Sequence, residues 1–241
     1  MVFMENTVWF SPLNVIHHSN ELETFLSQDQ KNTSKYKKVI EAKMTAVMLM
    51  ALMEVEKKQY WMQIVDDKEQ SPDVRTINYE DVQSGKFDNM EQEDVEVVGY
   101  EHHSTGNIVD FLLATKFSSS KSYDPQTHIL CHLLDGEIIN LPSEEELKKQ
   151  MAVIKSPCPT VVLGATSETA SNYKLILLNP EVRTVIEFNL IKSLERLVQN
   201  NYIGVLTLKR GSRRPIEARP DEKHYPFESI GYIPNEEGNY I

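Results

Sequence analysis

Residues 34 to 58, SKYKKVIEAKMTAVMLMALMEVEKK, contain neither glycine nor proline. A stretch of this length without a breaker predicts one long helix. Its centre, with Val47, Leu49, Met50 and Met53, is apolar nearly all round rather than along one stripe. Such a helix must be covered on more than one side, which requires a layered fold around it. Met44, Met48, Met50 and Met53 read as core filling, because the flexible thioether fits irregular gaps; an adaptable binding surface is the competing reading. The nine-residue run TAVMLMALM lies between charged flanks and is far too short to span a bilayer.

The segments after this helix read mainly as strands. Extended stretches are expected at 60–66 (YWMQIVD), 74–79 (VRTINY), 95–100 (VEVVGY), 107–116 (NIVDFLLATK) and 127–134 (THILCHLL), with a turn at Asp135-Gly136. Ser143 and Glu146, after Pro142, have the spacing of a capping box and open a helix to about Ile154. Strands are expected at 159–165, apolar enough to lie mid-sheet, and at 173–178, then a helix over 189–199 and a strand over 204–210. The polar stretch 19–33 suggests a short helix and a loop. No internal repeat or low-complexity tract is present. This order predicts one α/β domain over residues 1–241, a mixed β-sheet flanked by α-helices. Residues 1–33 form an N-terminal extension packed onto it, and 211–241 an irregular C-terminal tail.

With 241 residues, 40% hydrophobic and 25% charged, the chain has the composition of a soluble globular protein. Its formal net charge of -11 repels nucleic acid and anionic membrane, so a nucleic-acid function needs a local basic surface. Lys209, Arg210, Arg213, Arg214 and Arg219 form such a cluster, a candidate contact for nucleic acid or another polyanion. The competing reading is a solvated loop paired with Glu217, Asp221 and Glu222. Tyr225, Phe227 and Tyr232 follow the cluster without sitting inside it, so they offer at most a base-stacking platform beside it. The two cysteines, Cys131 and Cys158, lack ligand spacing, against a disulfide framework or a zinc ribbon. The opening MVFMENTVWF has no basic stretch leading into an apolar one, so no secretory signal is expected and the location expected is the cytoplasm, with no membrane partner.

Pro72-Asp73 stands at the start of one expected strand, and Glu96 lies within the next, sharing its face with Val98 and Tyr100. Two carboxylates on neighbouring strands suit Mg²⁺, which takes hard oxygen ligands and keeps waters for substrate and nucleophile, with a lysine to stabilise developing charge. In these residues the chain resembles the PD-(D/E)XK nuclease-like superfamily: a helix bearing Glu41 and Glu54, then Pro72-Asp73, then Glu96, then a strand (THILCHLL) leading into a helix, over roughly residues 34 to 165. The resemblance implies a restriction-endonuclease-like core, Mg²⁺ held by Asp73 and Glu96, and catalysis by Asp73, Glu96 and a lysine. In that family a lysine stands two residues after the second acid; here Val98 holds that place, and Lys116 on the following stretch is the candidate replacement.

Blander readings stand beside these. Ser-Pro-Asp is a common turn opener, and Glu96 can be the outer face of a strand. His102-His103 reads as a loop pair, and Cys131 points away from the face shared by His128 and His132. The segment VLGATSETASNY lacks the glycine spacing of a phosphate loop, and Ser167 and Ser171 lack a nucleophile-elbow context. Two functions are therefore expected in competition. One is a nuclease-like, metal-dependent nucleic-acid protein, active or catalytically degenerate. The other is a non-enzymatic intracellular binding or immunity-type protein that recognises another protein and needs no cofactor.

Overall fold

The computed structural model describes residues 6–56, 58–65, 72–80, 87–101, 107–117, 123–137, 141–154, 156–166, 171–199, 203–219 and 225–234. Along the chain these form β1 (Asn6–Phe10), α1 (Pro12–Phe25), α2 (Gln28–Lys31), α3 (Ser34–Glu56), β2 (Lys58–Ile64), β3 (Val74–Glu80) and β4 (Asp88–Tyr100). Then come α4 (Ile108–Thr115), β5 (Thr127–Glu137), α5 (Glu144–Met151), β6 (Thr160–Ala165), β7 (Asn172–Asn179), β8 (Arg183–Asn189), α6 (Leu190–Gln199), β9 (Val205–Lys209) and β10 (Pro215–Arg219), with a short 3-10 turn at Glu228–Ile230. The protein is α/β, with mixed sheet and flanking helices as its sequence predicts. Among the described residues no helix is long and apolar enough to cross a membrane. Two compact units divide the chain, Met1–Gln92 with Leu194–Ile241, and Glu93–Ser193.

In the first unit β10, β9, β1, β2 and β3 lie side by side in that order, each antiparallel to its neighbour. The breaker-free stretch is α3, which packs against α1 and β2. Its middle turn, Val47, Met48, Leu49, Met50 and Ala51, is at most 2% exposed, as its all-round apolar surface demands. Burying each such large side chain contributes about 1.5–3 kcal/mol, so the helix is a central element of this unit. A second apolar cluster, Trp9, Trp61, Ile77, Tyr79, Leu206 and Leu208, joins the strands, and Trp61 Nε1 donates to the Ile203 carbonyl at 3.0 Å.

The amino-terminal residues are more regular than a short helix and a loop. Ser11 caps α1, its Oγ accepting from the Asn14 amide at 3.1 Å, and Pro12 occupies the first position, where no amide donor is needed. The carboxy-terminal stretch is not an irregular tail throughout, since β10 pairs with β9 and residues beyond it dock on α3. There Phe227 and Tyr232 are buried, and Lys35 Nζ sits 3.8 Å from the Tyr232 ring centre while donating to the Gly231 carbonyl at 2.6 Å. Those two aromatics are packing residues, which corrects the stacking-platform expectation for Phe227 and Tyr232, whereas Tyr225 is half-buried and edge-on to His18 at 5.3 Å between ring centres.

In the second unit β4, β5 and β6 are parallel, whereas β7 and β8 add to β6 antiparallel. Parallel neighbours need crossover connections, and α4 and α5 supply them. Ile108, Val109 and Leu112 of α4 and Leu147 and Met151 of α5 join Tyr100, Ile129, Cys131, Leu133, Val162 and Ile176 in one core cluster. All six residues of β6 are buried, as expected for a mid-sheet strand.

The stretch 107–116 was expected to be extended and is a helix instead. Asn107 accounts for the difference: its side chain accepts from the Val109 amide at 2.7 Å, a helix N-cap, and Asp110 follows in the first turn. The Asp135-Gly136 turn is also overturned. β5 runs through both residues to Glu137, and its pairing with β6 slips between His132 and Glu137, so the chain takes up the irregularity without leaving the sheet.

Candidate functional site

Glu96 lies on β4 with Val98 and Tyr100 on the same face, and Val98 is in register with Cys131 of β5. That face carries the core of the second unit, so a carboxylate there is removed from water. Lys116 caps the carboxy-terminal end of α4, its amide donating to the Leu112 carbonyl at 2.9 Å. From there Nζ donates to Glu96 Oε2 at 2.9 Å. Exposure of 7% for Glu96 and 8% for Lys116 makes this a buried ion pair. Either charge alone would be costly in that setting, and each makes the other tolerable. The helix end also favours the ammonium, because its carbonyls carry partial negative charge there. Sequence reasoning thus picked out two residues that meet, but Lys116 arrives from a helix and not from a strand. Cys131 adds no nucleophile: burial pushes its thiol far up, although the Lys116 charge works the other way.

Asp73 belongs to the first unit and Glu96 and Lys116 to the second. Asp73 stands in the bend before β3, its carbonyl accepting from the Val65 amide at 3.2 Å. Lys38, on α3, reaches the same bend, with Nζ 3.8 Å from Asp73 Oδ1 and 3.5 Å from the Val65 carbonyl oxygen. Glu41 is one helical turn along α3, 3.3 Å from Lys37 Nζ and only 6% exposed. Burial raises the Glu41 pKa above the usual carboxylate range and the negative charge of Asp73 raises it further, against the opposing pull of Lys37 and Lys38. The bend and the helix thereby gather two interacting carboxylates and a lysine. Glu41 is visible in the sequence as a helix acid, whereas Lys38 gives no separate signal beyond standing three residues before it.

The basic residues occupy a built turn. Lys209 ends β9, Pro215 opens β10, and Lys209, Arg210, Arg213 and Arg214 are all exposed. The Ser212 amide donates to the Lys209 carbonyl at 2.8 Å, and Gly211 adopts φ +78°, which favours glycine at this position of the turn. His128 faces Glu93 at 3.4 Å, and His132 is buried. His102, His103, Ser167, Asp221 and Glu222 lie outside the described residues.

A pocket of about 280 Å³ in the second unit, lined by Ser143, Glu144, Thr166, Lys174 and Glu187 among others, had no counterpart in the sequence reading. Its charged groups are already engaged, Lys174 with Glu187 at 3.0 Å and Glu144 with the Thr184 amide at 3.0 Å.

Among the described residues no group of three or more His, Cys, Asp or Glu side chains is arranged to hold a metal ion. Two carboxylates are nonetheless a sufficient protein share for Mg²⁺, which fills its remaining positions with water and substrate oxygens. Compared with known proteins, the chain matches no family model, no curated protein and no solved structure.

Proposed function

We propose that this is a nuclease-like, metal-dependent nucleic-acid protein in which Asp73 and Glu41 hold the Mg²⁺. Glu96 is held at 2.9 Å by a buried Lys116, whereas Glu41 and Asp73 meet Lys37 and Lys38 at the longer distances of 3.3 and 3.8 Å, so Glu41 is the acid we assign as companion to Asp73. The observation that carries this reading is the placement of a buried Glu41, 6% exposed, on α3 three residues from Lys38, whose Nζ lies 3.8 Å from Asp73 Oδ1 and so brings a second carboxylate to the same bend. A divalent cation between two such oxygens relieves their mutual repulsion, and hard carboxylate donors are what Mg²⁺ prefers. When bound, the ion would polarise a phosphoryl oxygen and lower the pKa of a water. Lys38 offers a cation beside the charge that develops on phosphate. The free, buried thiols of Cys131 and Cys158 fit a reducing, cytoplasmic setting.

A second reading, a protein that keeps the fold without the chemistry and binds another protein, is favoured by the closed Glu96–Lys116 pair. The two separate in a cleavage assay on DNA and RNA with Mg²⁺ or Mn²⁺. Metal-dependent cleavage that falls on the order of 100-fold in Asp73→Asn is the expected result. Absence of cleavage of either polymer in Mn²⁺ would favour the second reading.

A further inference from the structure

We infer that the tip of the β9–β10 hairpin is a phosphate-contacting ribbon for duplex nucleic acid. The inference rests on the nucleic-acid reading above for its choice of partner, but not on the metal. Lys209, Arg210, Arg213 and Arg214 place four cations on one exposed tip of a chain whose net charge is -11. Against that net charge the tip is a local attractor for polyanions.

The tip is also held in shape before any partner arrives. Beyond the Lys209–Ser212 hydrogen bond, Ser212 Oγ donates to the Arg214 carbonyl at 2.9 Å and accepts from the Arg214 amide at 3.1 Å. Tyr79, fully buried on β3, donates its hydroxyl to the Arg213 carbonyl at 3.1 Å. Burial pushes the pKa of that phenol up to about 12, so it remains a donor across the working range. A Cβ added at Gly211 would meet nothing within 4 Å, so the turn faces open space. The entropy of ordering a loop on binding is thereby largely avoided.

Three features select duplex nucleic acid among polyanions. Three of the four cations are arginines, whose planar fork matches phosphate oxygens in pairs. A two-stranded ribbon fits a major groove about 12 Å wide. Residues 209 to 215, KRGSRRP, contain no aromatic or large apolar side chain, so the tip has neither a platform for unstacked bases nor a wedge for a bilayer.

The test uses the full-length protein in EDTA, which removes metal chemistry from the readout. Affinity for a duplex of about 20 base pairs is measured between about 50 and 200 mM salt, for the wild type and for Arg210→Ala/Arg213→Ala. Loss of two phosphate contacts should lower the slope of log K against log salt by about 1.8 and weaken binding at least tenfold at the low-salt end, with an unchanged melting temperature. Single strands of the same length should bind more weakly than the duplex. Absence of binding at low salt, an unchanged slope in the variant, or displacement of the duplex by poly-glutamate or anionic vesicles at equal charge would each overturn the inference. Because no metal is present, such a failure is distinct from failure of the Asp73 cleavage test.

Discussion

Glu41 sits in the interior of the first unit, where burial and, second to it, the negative charge of Asp73 raise its pKa, and this has a consequence for stability. Because the folded pKa lies above the unfolded value of about 4.3, the folded protein binds this proton more tightly than the unfolded chain does. Its contribution to stability is therefore fully present below the unfolded pKa and is lost as pH rises through the raised one. Glu41→Gln should match the wild type in acid and exceed it at neutral pH, and Asp73→Asn should move the pH dependence of the wild type downward. Urea midpoints collected across this window check both; a variant less stable than the wild type at neutral pH would contradict the assignment. Single residues were unevenly legible. The parity of β4 marks Glu96 as sharing a face with Val98 and Tyr100, but nothing in the sequence says that its partner is Lys116. The Glu41, Asp73 and Lys38 grouping depends on a bend meeting a helix, which no spacing along the chain reveals.

The closed ion pair gives α4 an anchor at its carboxy-terminal end, fastening the helix to β4. Lys116→Met leaves the Glu96 charge buried and alone, and should cost about 3–5 kcal/mol in denaturant unfolding. Replacing Glu96 as well, in Glu96→Leu/Lys116→Met, should recover most of that loss, since an apolar pair needs no compensation there. A single variant within about 1 kcal/mol of the wild type would mean that the pair behaves as an exposed one. The same element shows why its type was hard to read. Ile108, Val109 and Leu112 are spaced for a helix, but the run is short and apolar enough to suit a buried strand as well. Asn107 with Asp110 was the deciding signal. α3 was legible because it is long and free of breakers. β8 was not, since its mostly half-buried residues show no alternation, and β10 begins at a proline beside a charged turn.

For the molecule as a whole, a formal net charge of -11 with a local exposed basic tip is the setting of the proposed polyanion contact. The mixed α/β character followed from the order of helical and extended stretches. The division into two units did not, because its boundaries fall inside β4 and α6, where composition shows no linker. Sharing of a divalent cation by Asp73 and Glu41 is tested most directly by Mn²⁺-induced line broadening in amide NMR spectra. Broadening should centre on the residues around Asp73 and on the first turns of α3, compete with Mg²⁺, and disappear in Asp73→Asn. Broadening that is absent, or that persists unchanged in that variant, would contradict it.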